Sequence, residues 1–203
     1  MFVHARGARK PKSKFLACAQ IFTYADYVLA EGRGFYSVNQ AEIIESFYYI
    51  RKDYDCLAAA YSITEICEKT LLEDMPADDL LLLALKALSH LSKGSFPALQ
   101  ISNVFLIRFI TWYGLSPETE NCGICGKPLE EMGSVLLTSE GVRCTNHSGN
   151  DDAPLCLKIS ASAAYALRHI VTSGMPQSFS FKAADDVLAE LQRIGRLLWN
   201  SHF

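Results

Sequence analysis

The absences in this 203-residue sequence narrow its function first. Uncharged stretches such as Ser95–Ile107 end at a charge, here Arg108, short of the ~18–20 residues that span a bilayer. Residues Met1 to Arg6 hold no apolar leader core and no small-residue cleavage pattern. There is no phosphate-cradling G-x-x-x-x-G-K-S/T, no G-x-G-x-x-G opening a helix and no G-x-S-x-G elbow. None of the five histidines has Glu two residues on, which removes the zinc-deaminase pattern. Repeats and low-complexity segments are missing too. The expectation is a cytoplasmic protein with no membrane partner, and no motif demands an enzyme.

Half of the residues are hydrophobic and a fifth are charged, so the chain can bury a sizeable core. The net charge of −3 is unevenly spread. Residues 1–52 hold eight Lys/Arg against four acids, and residues 53–203 hold eleven against eighteen. Five cations and no acid occupy the first 14 residues: Arg6, Arg9, Lys10, Lys12 and Lys14. A basic end on an acidic body reads either as a contact for an anionic partner or as a solvated arm.

The first 40 residues read as β-structure. Phe2–Arg6 suits a strand, Gly7–Lys14 is a breaker-rich basic loop, and Ile21–Leu29 is rich in aromatic and β-branched residues. Gly34–Asn39 follows the turn signal Glu31-Gly32-Arg33-Gly34. From Gln40 the pattern turns helical: a short segment at Ala41–Phe47, then Tyr54–Leu72 with Leu57, Tyr61, Thr64 and Leu71 among its spaced positions. Asp78–Ser92 offers Leu81, Leu82, Leu85 and Leu88 as one face. Pro97 opens a segment that runs through Tyr113 to Gly114, with Phe105, Phe109 and Trp112 suited to a core. Ser160–Thr172 and Ala183–Trp199 close the chain, the latter with Val187, Leu188, Leu191, Ile194 and Leu198 on one side.

Seven cysteines in a chain without a secretory signal argue for metal before disulfides. Cys18, Cys56 and Cys67 stand singly in apolar segments, as small buried hydrophobes do. The others cluster. Cys122-Gly-Ile-Cys125-Gly126 is followed 18 residues later by Cys144-Thr-Asn-His147, a C-x2-C-x18-C-x2-H spacing suited to closed structural zinc. Gly126 lets the chain fold back so that amides face the sulfurs. Ser134–Leu137 and Gly141–Arg143 can form a hairpin between the ligand pairs. Cys156 competes with His147 for fourth ligand, and His147 is preferred because it restores the paired spacing. A thiol–disulfide site would need a βαβ setting, and a catalytic zinc an open position with a nearby base; both remain weaker alternatives.

The order of these pieces resembles the RecO family of bacterial recombinational-repair proteins. The resemblance rests on Ala5-Arg6-Gly7-Ala8-Arg9-Lys10-Pro11-Lys12-Ser13-Lys14, on Gly32-Arg33-Gly34-Phe35-Tyr36, on Gln40–Phe47 and on the late Cys-x-x-Cys-Gly knuckle. It implies an α+β, mainly α, fold: an incomplete N-terminal OB-fold-like β module over residues 1–40, then a helical domain over 41–203 interrupted by a zinc knuckle at 121–156. It also implies a non-enzymatic role. RecO-like proteins bind single- and double-stranded DNA, anneal complementary strands and, with RecR, help load RecA on DNA covered by single-strand-binding protein. The basic-loop cations would then contact DNA, and Tyr24, Tyr27, Phe35 and Tyr36 could stack bases.

Family members begin with about two further strands ahead of Phe2. The expectation is therefore a truncated chain or a sheet edge completed by a partner. A second reading makes the chain a zinc-stapled helical module that docks proteins and binds no DNA itself.

Overall fold

The computed structural model describes residues 3–32, 34–72, 75–147 and 156–203. Phe2 of the first expected strand and Arg33 of the expected turn lie outside the described residues, as does 148–155 of the knuckle.

The chain opens with strand β1 (Val3–His4), and residues 6–22 follow as consecutive tight turns. Their backbone bonds include Ala8 N–H to Ala5 O at 3.1 Å, Lys10 N–H to Gly7 O at 3.0 Å and Ser13 N–H to Lys10 O at 2.9 Å. Gly7 permits the first of these turns by adopting φ 74°. Ala8, Phe15 and Cys18 are buried and anchor the segment. Strands β2 (Tyr24–Glu31) and β3 (Tyr36–Glu45) form an antiparallel pair, and β1 joins β3 in parallel, giving the order β1-β3-β2.

The helical reading of Ala41–Phe47 is overturned, because β3 runs on to Glu45. A seven-residue helix nucleates poorly alone, whereas here the backbone pairs with β2 through Tyr27↔Ala41, Asp26↔Glu42 and Ala25↔Ile43. Two residues past the end of the strand, the left-handed backbone of Phe47 (φ 43°) turns its side chain into the helical core. A 3-10 turn, Tyr48–Lys52, buries only Ile50 and leads to the helices.

These are α1 (Tyr54–Thr70), α2 (Asp78–Lys93), α3 (Ala98–Trp112), α4 (Ala161–Thr172) and α5 (Asp185–His202). Asp53 starts α1 by accepting the Cys56 N–H at 2.8 Å, and Ser160 starts α4 by accepting the Ala163 N–H at 3.1 Å. Gly94 ends α2 in the left-handed conformation. Helix α3 is the axis of the body, with Ile101, Val104, Phe105, Ile107, Phe109 and Ile110 fully buried. Its buried polar groups are paired: Gln100 donates to the Phe179 and Phe181 carbonyls at 3.0 Å each, and Asn103 to the Leu188 carbonyl at 2.9 Å.

The faces of two helices differ from those the spacing indicates. In α2 the buried side chains are Leu80, Leu83, Ala87, Leu88 and Leu91, while Leu81 and Leu82 are about half exposed. Apolar residues at every position from 80 to 85 leave the periodicity without a unique face. In α1 the buried positions are Ala59, Ala60 and Ile63, and Tyr61 faces out. Small residues there let α1 lie close to α3. In α5 the expected Leu188, Leu191, Ile194 and Leu198 are buried together. The architecture is α+β and mainly α, with the β module first and the cysteine knuckle inserted between α3 and α4.

Candidate metal centre and basic loop

The knuckle is a second sheet. Strands β4 (Ser134–Leu137) and β5 (Val142–Cys144) form the expected hairpin, with Val135↔Cys144 and Leu137↔Val142 in register. A third strand, β6 (Leu157–Ser160), pairs with the other edge of β4, giving the order β5-β4-β6. Sequence reading missed β6, which is only four residues long and abuts α4. Its Leu157 and Ile159 alternate with Lys158, a weak strand signal. Leu129 is fully buried and docks the knuckle on the body, and Glu130 pairs with Arg168 of α4.

Gly141, expected only as part of the hairpin, has a further role that its spacing did not show. At φ 152° it lies against the Glu118 backbone, where an added Cβ would collide with the Glu118 carbonyl oxygen and Cβ. That approach allows the Val142 N–H to reach the Glu118 carbonyl at 2.9 Å and positions the strand that carries Cys144.

Cys122, Cys125, Cys144 and His147 converge, their ligand atoms all within 4.8 Å of one another. Cys122 and Cys125 sit on a tight loop, where Gly126 (φ 71°) donates its N–H to the Cys122 carbonyl at 2.9 Å. Cys144 ends β5, and His147 closes a 3-10 turn. Cys125 Sγ and Cys144 Sγ are 3.8 Å apart, and Cys122 Sγ lies 3.4 Å from His147 Nδ1. A tetrahedral ion with ~2.3 Å bonds to sulfur and ~2.0 Å to nitrogen has ligand-to-ligand edges of about 3.5–3.8 Å, so these separations fit one four-coordinate ion.

The electrostatics agree with a cation at this position. Burial disfavours the Cys122 thiolate, but the N–H groups of Cys125, Cys144 and Ile124, together with the Cys125 thiol, bring its pKa down to about 5. The Cys144 N–H to Cys122 Sγ distance is 3.3 Å. Cys144 is pushed the other way, to about 11, by burial and by the neighbouring sulfurs of Cys122 and Cys125. Three sulfurs this close cannot all ionise by themselves, and a divalent ion removes the conflict. Met132 Sδ lies 3.5 Å from Cys144 Sγ and closes the apolar side. Cys156 is exposed and does not belong to the cluster.

The basic loop occupies the opposite end of the sequence. Arg6, Arg9, Lys10, Lys12 and Lys14 are all exposed, and none pairs with a carboxylate among the described residues. Lys14 Nζ lies 3.2 Å from the Asn39 carbonyl of β3, which ties the loop to the sheet. The aromatic residues expected to stack are less uniform. The Tyr27 hydroxyl donates to the Cys18 carbonyl at 2.9 Å, and burial raises its pKa. Phe35 packs edge-on against His4, Tyr36 is partly exposed and Tyr24 is half-buried. Among the described residues no helix is long and apolar enough to cross a membrane.

Residues 2–47 match the family model for the Recombination protein O N terminal domain, and residues 51–202 match that for the C terminal domain. The chain is 38% identical over 192 residues to the DNA repair protein RecO of Acetivibrio thermocellus, covering 95% of this chain and 76% of that relative. It is 29% identical over 199 residues to RecO of Desulfitobacterium hafniense, covering 97% of this chain and 66% of the relative. RecO of Bacillus pumilus is 32% identical over 166 residues, covering 82% and 63% respectively. The chain thus spans about two thirds to three quarters of the length of these curated relatives. Two family models in the expected order, together covering most of the chain, make it a member of the RecO family of DNA repair proteins.

Proposed function

We propose that the chain is a non-enzymatic, DNA-binding mediator of recombinational repair in the cytoplasm. In this reading it anneals complementary strands and, with RecR, helps load RecA on single-stranded DNA covered by single-strand-binding protein. The observation that carries the reading is the exposed, acid-free cationic loop in a chain with RecO family membership.

Arg6, Arg9, Lys10, Lys12 and Lys14, within the β module of residues 1–40, contact phosphates of single- or double-stranded DNA. The helical domain of residues 41–203, interrupted by the knuckle at 121–156, provides the rigid body. The knuckle ion is Zn2+, held by Cys122, Cys125, Cys144 and His147, and its role is structural. Three thiolates and an imidazole form a donor set that favours zinc over hard cations.

The test is annealing of labelled complementary oligonucleotides by the zinc-loaded chain and by a variant carrying R9A, K10A, K12A and K14A. The variant should lose annealing, and its log–log salt slope for single-strand binding should shallow by about 3, at ~0.7 per phosphate contact. Unchanged annealing would remove these residues from the DNA site.

A second reading, a protein-docking module without DNA binding of its own, has one observation in its favour. A pocket of about 340 Å³ opens on the β module, lined by Val3, Phe15, Cys18, Leu29 and Val38. Absence of DNA binding by the folded, zinc-loaded chain would select it.

A further inference from the structure

The 3-10 turn between the β module and the helices carries a feature that the proposed function does not use. Tyr48 and Tyr49 are 51% and 64% exposed, although a tyrosine ring ordinarily covers apolar surface. Their rings are 5.8 Å apart and inclined at 69°. Lys52 Nζ sits over both, 4.7 Å from the Tyr48 centroid and 5.4 Å from that of Tyr49. The backbone imposes this display: Phe47, at φ 43°, and Ile50 turn into the core and leave the two intervening rings outside. Tyr54, 82% exposed, follows at the start of α1. Tyr48 and Tyr49 also fall in the gap between the two family-model matches, which end at residue 47 and resume at 51.

We propose that Tyr48 and Tyr49, with Lys52, form a base-stacking platform for single-stranded nucleic acid, distinct from the basic loop. The inference rests on the DNA-binding reading above and assigns base recognition to a site outside that loop. Single-strand binders combine a cationic track along the backbone with aromatic rings on which bases stack.

Here the two parts are physically joined. Arg51 lies 5.4 Å from the Tyr48 centroid and donates to the Ile21 carbonyl at 2.5 Å and the Ser46 carbonyl at 3.3 Å. Ile21 lies at the end of the turn-rich segment that carries the basic loop. Two acids near the platform are engaged by backbone. Asp53 accepts the Cys56 N–H, and Glu45 Oε1 accepts the N–H groups of Ser46 at 2.9 Å and Phe47 at 3.2 Å. Arg51 and Lys52 are balanced in sequence by Asp53 and Asp55, so the platform contributes stacking with little net charge. Steeply inclined rings suit bases on a flexible strand that turns between them, and a duplex keeps its base faces stacked inside.

The test separates bases from phosphates. Fluorescence anisotropy of the zinc-loaded chain is measured with labelled oligo-dT and with an abasic oligonucleotide of the same length and charge. The wild type should bind oligo-dT about tenfold or more tightly than the abasic strand, from ring–base stacking. Y48A/Y49A should bind the two equally with its salt slope unchanged, and Y48F/Y49F should restore the preference. K52Q should keep the preference and shallow the slope by about 0.7.

Nitration of the wild type provides a readout that needs no variant: Tyr48 and Tyr49 should be protected by oligo-dT and not by the abasic strand. Equal binding of both oligonucleotides by the wild type, or a preference that survives Y48A/Y49A, overturns the platform and leaves the DNA-binding reading standing. No binding of either oligonucleotide overturns both. Nitration protection by a second protein and not by oligo-dT would make the tyrosines a protein contact and also overturn the proposal.

Discussion

Arg108, in the middle of α3, donates a guanidinium N–H to the Val171 carbonyl oxygen 3.1 Å away at the end of α4. The same nitrogen reaches the Ile170 and Ser173 carbonyls at 3.3 and 3.1 Å. One cation thus closes the C-terminus of the helix that follows the knuckle, where helix carbonyls lack partners and the dipole end is negative. Burial lowers the Arg108 pKa from its ordinary value, and these three acceptors offset the loss of water.

R108M keeps the stem and removes the donors. It should destabilise the chain by about 2–3 kcal/mol, because carbonyls lose a charge-assisted partner in a half-buried place. Urea denaturation of the metal-loaded protein checks this. A loss below about 0.5 kcal/mol would mean that water replaces the guanidinium without penalty.

Metal content should be about one zinc per chain, as a closed four-ligand site requires. C144S should abolish stoichiometric binding, whereas C156S should leave it unchanged, because Cys156 lies outside the cluster. A strong chelator should expose the β4 and β5 amides to hydrogen exchange while the α3 amides stay protected. On the zinc reading the small knuckle sheet depends on the ion, whereas α3 is buried by the rest of the body. Elemental analysis and exchange mass spectrometry give the two readouts.

At the start of α4, S160A removes the acceptor for the Ala163 N–H. The expected loss is about 1 kcal/mol, the usual value of an N-cap side chain. S160D should recover most of it, since a carboxylate also suits the positive end of the helix. Thermal denaturation of the three proteins under one metal condition orders them.

His90 supplies a pH dependence. Burial, then the charges of Lys93 and Lys86, lowers its pKa below the ordinary value of 6.5. Its ring packs against Phe96 and Phe179, with centroids 5.2 and 5.0 Å away. The native state therefore disfavours the imidazolium, and the unfolded chain takes up the proton first. The contribution of His90 is fully present above about pH 6.5 and is lost as pH falls through the lowered folded value. H90Q should show a smaller fall in denaturation midpoint between pH 7.5 and 5.5 than the wild type. Identical falls would remove His90 as a contributor.

Local signals already locate the helices and the ligand set. Pro97, Gly114 and Ser160 mark helix ends within a residue or two of where they fall, because capping and breaking are short-range effects. Cys122, Cys125, Cys144 and His147 were legible for a similar reason: paired ligands at x2 spacing report the geometry of a single loop. The β4–β5 hairpin between them is local too.

Long-range choices were not legible. Ala41–Glu45 is a strand because β2 lies beside it, and Leu157–Ser160 is a strand because β4 offers an edge. The outward turn of Leu81 and Leu82 follows from where α3 lies, since residues 80–85 of α2 are apolar at every position. Gly141 and Arg108 act through partners 23 and 63 residues away, Glu118 and Val171, the separations being read from their residue numbers.

The sequence by itself determined the family, the approximate places of the five long helices and the cysteine cluster, with His147 preferred to Cys156 as its fourth member, all of which are written in short windows of residue type and spacing. Only the tertiary structure decided that the three sulfurs and one nitrogen come within 4.8 Å of one another, and that Tyr48 and Tyr49 stand outside while Phe47 goes in. Those outcomes depend on packing and backbone pairing between segments far apart in the chain, where each side chain's environment is supplied by residues its own window does not contain.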